Sequence, residues 1–416
     1  MDHVGENSGI RFEPDRLFAD PRYAAYAAAA VAAVAEGDAG PISEKLRREG
    51  ERDSPNGKRG DAPAHELAAF AISTQGLTAL TARCRGVDAL PGPLAEFIFE
   101  EVPRAGARAC RLRDTLVETV AALRAAGIEV VALKGAALAF FHYADPALRP
   151  MGDLDLLLVE PRDLNRATDA MGQAGWRALL DTQRHRVFAR PDERVVRPAS
   201  EDPQNPIRIE VHTSFRLPVL GHVYDASPLL RETPETRDLT GTRVAIAGGP
   251  ALATHLLFHA AEDFAGNGIR GIQAHDFRVL AGKGKSAAFA PASVLDSVTP
   301  GPLLYAADAI ERLFPLTFEE LFLSSLPSRV DPVLRARAAA LPALRYTRPP
   351  HGWTRTLLTL ADSPGARARL LLRTAFPSPG EVKANVAPDA SGAALALAYA
   401  HVLVGRLRGA IAGLFR

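Results

Sequence analysis

The stretch RPMGDLDLLLV, Arg149 to Val159, sets two aspartates one residue apart at the mouth of an apolar run. On a strand, side chains two apart share a face with their Cα atoms ~6.5–7 Å apart, so the carboxylates of Asp153 and Asp155 lean toward one point. Two anions held there repel, and one is driven toward protonation unless a cation lies between them. Mg²⁺ suits that place, because it takes carboxylate and phosphate oxygens and keeps several waters. Downstream, IRIEVHTSF (Ile207 to Phe215) alternates, with Ile207, Ile209 and Val211 on one face and Arg208, Glu210 and His212 on the other. Glu210 could supply a third carboxylate. Three acids are what a pair of ions ~3.5–4 Å apart needs for an in-line displacement at phosphorus. His212 shares that face and is expected as a hydrogen-bond partner rather than a ligand.

Upstream, LKG at Leu133 to Gly135 ends one apolar run and opens a helix. Gly135 would let the backbone approach a phosphate, and the helix start offers free N–H groups. Lys134 and Arg149 could add cationic donors to a triphosphate tail. Each residue also has a plainer reading. Asp153 could cap a turn, Lys134 could be a solvated strand-end lysine, Arg149 could brace the aspartates as an ion pair, and Glu210 could be an ordinary polar-face residue.

The elements that must position these groups are legible in outline. IEVVAL (Ile128 to Leu133) and LDLLLV (Leu154 to Val159) are short apolar runs that predict buried strands. GAALAFFHYA between them predicts a helix. A further helix starts at Pro161 and runs to Ala174, with Gly175 ending it. RVFAR and ERVVRP are weaker strand candidates. Helices are also expected over Tyr23 to Ala35, His65 to Arg85 and Ala107 to Ala126. Glu36 to Ala64 is polar and rich in Gly, Pro and charge, which predicts a flexible linker. From about Pro250 the chain reads as helical, with breaks near Pro327, Pro349 and Pro377. The organisation expected is a helical region over 1–126 with a flexible linker near 36–64, an α/β core over 127–249, and a helical region over 250–416.

Composition narrows the partners. The chain has 416 residues, of which 49 are Lys or Arg and 48 are Asp or Glu, so no global basic field points to long nucleic acid. Any phosphate chemistry must therefore be built locally. Cys84 and Cys110 make neither a disulfide framework nor a metal knuckle, which fits a cytoplasmic protein. The longest apolar stretch, Ala393 to Gly405, falls short of the ~20 residues that span a bilayer.

Val130 to Trp176 is where a family resemblance is densest, within a wider match over about residues 65–385. The chain resembles the bacterial "uncharacterised nucleotidyltransferase" family of the DNA polymerase beta-like superfamily. The matching motifs are LKG, RPMGDLDLLLV, EVH at Glu210 to His212, HLLFH at His255 to His259, HD at His275 to Asp276, and FPSP at Phe376 to Pro379. The resemblance implies an α+β fold, with a small mixed sheet of the polymerase-beta-like nucleotidyltransferase type embedded between helical regions. It also implies Asp153, Asp155 and Glu210 as ligands of two ions, Mg²⁺ or Mn²⁺, and a nucleoside triphosphate as substrate. Lys134, Gly135 and Arg149 would meet its phosphates, and a small molecule or peptide would be the acceptor. His212, His259 and Asp276 would wall the cleft, unless His259 and Asp276 pair in the core. The superfamily's usual Gly-Ser is here Gly135-Ala136, and the gap to Asp153 is longer than is common. Two other readings are a degenerate transferase fold serving as a binding scaffold, and an HD-like metal phosphohydrolase built on the histidines.

Overall fold

The computed structural model describes residues 3–4, 11–52, 63–181, 185–191, 202–219, 222–232, 234–281, 363–376 and 391–414, with a few isolated positions besides. The N-terminal part pairs β1 (His3–Val4) with β2 (Arg11–Phe12) and is otherwise helical. Its helices are α1 (Pro14–Ala19), α2 (Tyr23–Glu36), α3 (Gly40–Arg52), α4 (Ala64–Thr74), α5 (Thr78–Thr81) and the long α6 (Gly92–Ala125). Alanine-rich α2 follows its propensity and stops at Gly37, whose φ of 66° is left-handed.

The linker expected over 36–64 is corrected by α3. Ile42 is buried and Leu46 packs on the core. Glu44 accepts from Arg47 at 2.9 Å and Arg48 at 2.6 Å, and Lys45 donates to Glu49 at 2.6 Å, so each turn carries an i,i+3 or i,i+4 pair. A narrow apolar stripe with charge pairs around it is enough for a helix and leaves little apolar periodicity to read. Residues 53–62 lie outside the described residues, as do the candidate strand ERVVRP and the proline breaks.

The central unit comprises β3 (Val130–Ala132), α7 (Lys134–Phe141), β4 (Asp153–Leu158), α8 (Leu164–Gln173), β5 (Arg177–Asp181), β6 (His185–Ala189), β7 (Arg208–His212), β8 (Arg216–Val219), β9 (His222–Asp225), α9 (Ser227–Glu232), β10 (Pro234–Leu239) and β11 (Thr242–Ala247). Seven of these strands form one mixed sheet in the order β10-β11-β3-β4-β7-β6-β5, and the fold is α+β as expected. β4 lies between antiparallel β3 and parallel β7. A strand this central, with Leu154, Leu156, Leu157 and Leu158 fully buried, needs the near-continuous apolar run it has. The helical part after it contributes α10 (Gly249–Asn267), α11 (Gly271–Ala281), α12 (Pro364–Ala375) and α13 (Gly392–Leu414). Among the described residues, no helix is long and apolar enough to cross a membrane.

One contact locks the sheet to the N-terminal helices, and another seats α11 on them. Arg108 of α6, buried, donates to the Asn205 carbonyl at 2.7 Å, the Pro206 carbonyl at 3.2 Å and the Gly152 carbonyl at 3.4 Å. It therefore pins the residues that lead into both β4 and β7. At the start of α11, the Gly271 N–H donates to the Gln75 side chain at 2.7 Å. A Cβ at Gly271 would come within 2.9 Å of Leu77 and Val31, so only glycine allows this close seating on the N-terminal helices.

Candidate active site

The parallel register of β4 and β7 sets Asp153 opposite Arg208 and Asp155 opposite Glu210. Directly paired residues share a face, so Asp153, Asp155, Glu210 and His212 all lie on one side of the sheet. Asp155 Oδ1 accepts from Lys134 Nζ at 2.9 Å and stands 3.1 Å from His212 Nε2. His212 Nε2 is also 3.4 Å from Glu210 Oε2. One ligand atom each of Asp155, Glu210 and His212 lies within 4.8 Å of the others, and this is the group of three potential metal donors found among the described residues. Lys134 reaches Asp155 from a left-handed backbone, φ 46°, which costs a non-glycine residue ~1–2 kcal/mol. Strain of this kind gathers at functional sites.

The charges here are unequally compensated. Burial and then the Asp155 charge push the Asp153 carboxyl above its usual range. Burial acts the same way on Asp155, but Lys134 and His212 outweigh it and hold that carboxyl well below. Hydrogen bonding from His212 lowers Glu210 despite burial. Burial works against charge on His212, yet its contacts with Asp155 and Glu210 raise it overall. The cluster thus carries one more anion than its own cations settle comfortably.

Beside it lies a cleft of about 490 Å³. Lys134, Gly135, Arg149, Met151, Asp153 and Asp155 form the sheet side, and His259, Asp263, Arg270, Gln273 and Asp276 come from α10, α11 and their connection. Glu210 and His212 are not among its walls. At Gly135 a Cβ would meet Met151 Cβ at 3.1 Å and Met151 Sδ at 3.3 Å, so glycine lets the start of α7 pack closely against Met151.

Arg149 is placed differently from the phosphate donor expected. It is buried, and its Nε and Nη2 donate to the two Asp276 oxygens at 3.0 and 2.9 Å while Nη1 donates to the Pro150 carbonyl at 2.7 Å. Asp276 also accepts from the Tyr143 hydroxyl at 2.8 Å. The brace anticipated for Arg149 therefore exists, but with Asp276 of α11 rather than with the β4 aspartates. The core pairing of His259 with Asp276 does not form: His259 Nδ1 stands 3.1 Å from Asp263, one turn on. Both His259 and Asp276 line the cleft, as do Asp263, Arg270 and Gln273, which the sequence reading passes over. The His259–Asp263 spacing of four is the signal that could have found Asp263. His255 is fully buried, neither ring nitrogen has a hydrogen-bond partner among the described residues, and its ring lies edge-on to Phe215 at 4.7 Å. His255, His259, His275 and Asp276 do not gather into a metal-donor group among the described residues.

The model of the family described as "uncharacterised nucleotidyltransferase" matches residues 64–300, more than half of the chain, and the chain belongs to that family. It is thus a transferase by class. No curated protein matches it. Among solved structures it is similar to an antigenic nucleotidyltransferase-like protein from Paracoccidioides brasiliensis, at 18% identity over 50% of this chain and 91% of that one, with a TM-score of 0.32.

Proposed function

We propose that this protein transfers a nucleoside monophosphate from a nucleoside triphosphate to a small-molecule or peptide acceptor, with two divalent ions, Mg²⁺ or Mn²⁺, in attendance. The observation that carries the reading is the convergence of Asp155 and Glu210, with Asp153 on the same face, beside a cleft that opens on the start of α7. The donor set fits such ions: Asp155, Glu210 and His212 offer carboxylate and imidazole donors within 4.8 Å of one another, and Asp153 stands on the same face. When bound, the ions would polarise the α-phosphoryl group and ease deprotonation of the acceptor hydroxyl.

The chain's own groups would divide the remaining work. Asp153 and Asp155 would hold both ions, and Glu210 would hold the acceptor-side ion and help deprotonate the acceptor. Lys134 and the free N–H groups at Gly135 receive the β- and γ-phosphates. Ala136 offers no hydroxyl, which leaves that task to the lysine and the backbone. Arg149, fixed by Asp276, shapes the floor and joins it to the α11 wall. A cleft of about 490 Å³ is within the usual size of small-ligand sites, and Arg270, Gln273 and His259 of its lining would meet the base or the acceptor. Near-zero net charge and two free cysteines suit a cytoplasmic enzyme acting on something other than long nucleic acid.

The test is a thermal-shift screen of the four nucleoside triphosphates with Mg²⁺ or Mn²⁺, followed by pyrophosphate release with the best of them. At least one triphosphate should raise the melting temperature only when an ion is present. No shift with any nucleotide and either ion would contradict the reading.

A further inference from the structure

The proposed reaction leaves His212 without a task, although it is buried at the centre of the acid cluster. Its Nε2 is 3.1 Å from Asp155 Oδ1 and 3.4 Å from Glu210 Oε2. Neighbouring donors on an octahedral ion with bonds of ~2.1 Å are themselves ~3 Å apart. The imidazole nitrogen therefore stands where a third donor on the same ion as Asp155 and Glu210 would stand. The ring is also held still. His185 stacks on it at 5.1 Å with planes 24° apart, and Phe215 lies at 4.1 Å. A donor fixed by packing loses little freedom on taking an ion.

We propose that His212 is itself a metal ligand, and that Asp155, Glu210 and His212 form a mixed nitrogen–oxygen site that takes Mn²⁺, or a neighbouring first-row divalent ion, in preference to Mg²⁺. This rests on the reading above that the cluster binds metal, and goes beyond it in naming the ligand and the kind of ion. Mg²⁺ favours oxygen donors and gives up its waters reluctantly, while imidazole suits Fe²⁺, Ni²⁺ and Zn²⁺; Mn²⁺, at the weak end of that series, still accepts a nitrogen donor more readily than Mg²⁺ does. An all-carboxylate site would show less of that preference. The rival account makes His212 a hydrogen-bonded bridge between two carboxylates, in which case the ion never meets nitrogen.

The full-length protein is loaded with Mn²⁺ and observed by pulsed EPR, with unlabelled and ¹⁵N-histidine-labelled samples compared. In parallel, Mn²⁺ and Mg²⁺ affinities are titrated for the wild type and for His212→Gln, whose amide oxygen can replace the nitrogen without its chemistry. The expected result is a nitrogen modulation that changes with the label and vanishes in His212→Gln. The Mn²⁺-over-Mg²⁺ preference should fall about tenfold or more in the variant, the order of loss seen when a metal site's support is removed. Mn²⁺ bound without nitrogen coupling in the wild type would overturn the inference and leave the metal reading standing. An unchanged preference in a folded His212→Gln would do the same. A wild type that binds neither ion would overturn both. Should His212→Gln fail to fold, the labelled wild-type comparison decides alone.

Discussion

Asp276→Ala removes the acceptor of a buried fork and leaves Arg149 charged and enclosed. Arg149 and Asp276 are 6% and 1% exposed, and two bonds of 3.0 and 2.9 Å join them. Tyr143 adds a third bond to the same carboxylate, at 2.8 Å. Breaking a buried pair by removing one partner costs ~3–5 kcal/mol, most of it the stranded charge. The bonds tie the segment before β4 to α11, so the cost should appear first as local opening of Gly271–Ala281. At ~1.4 kcal/mol per decade, the low end of that range makes amide exchange in α11 about two decades faster. Hydrogen exchange read by mass spectrometry, peptide by peptide, is the assay. Arg149→Met combined with Asp276→Leu should recover most of the protection, because it removes both charges and keeps apolar volume. Exchange in α11 changed by less than about threefold in Asp276→Ala, against the expected two decades, would refute the argument. Asp276 would then be a cleft residue whose pairing matters little to the fold.

Two further perturbations follow from the same site. Lys134→Met removes the ammonium that occupies Asp155, so it should tighten metal binding about tenfold, one pKa unit's worth of interaction, while weakening nucleotide binding; calorimetric titration showing weaker metal binding would contradict this. His255 is held well below its usual value by burial first and then by Lys134 and His259. The unfolded chain protonates near 6.5 and the folded chain resists, so stability is full above that pH and is lost as pH falls below it, at up to ~1.4 kcal/mol per pH unit. His255→Phe should therefore gain about 1 kcal/mol relative to wild type in urea denaturation at pH 5.5 compared with pH 7.5, and an identical difference at both would count against it.

What could be read from the sequence, and what could not, divides by range. That Glu210 and His212 share a face, and that Ile207, Ile209 and Val211 take the other, follows from a period of two within one strand. The apolar text of β3 and β4 is equally local, because a strand covered on both faces must be apolar throughout. The β10–β11 hairpin escaped this reading: β10 is exposed at every residue but Leu239, so its text, PETRDL, is polar. Only its turn marks it, through the left-handed Thr240 and Gly241 at φ 49° and 84°. The Arg149–Asp276 fork spans 127 residues, and no local pattern states which acid an arginine will meet at that distance. The position of Lys134 on Asp155 belongs to the same class, since it depends on β3 and β4 lying side by side.

The most direct measurement is binding of a nucleoside triphosphate to wild type and Asp155→Asn by titration calorimetry, with and without Mg²⁺ or Mn²⁺. Asparagine keeps the shape of the residue and removes the charge that Glu210 and His212 surround. The wild type should bind nucleotide only with an ion present, and Asp155→Asn, folded by circular dichroism, should lose that binding. An Asp155→Asn protein that binds nucleotide with unchanged metal dependence would contradict the account.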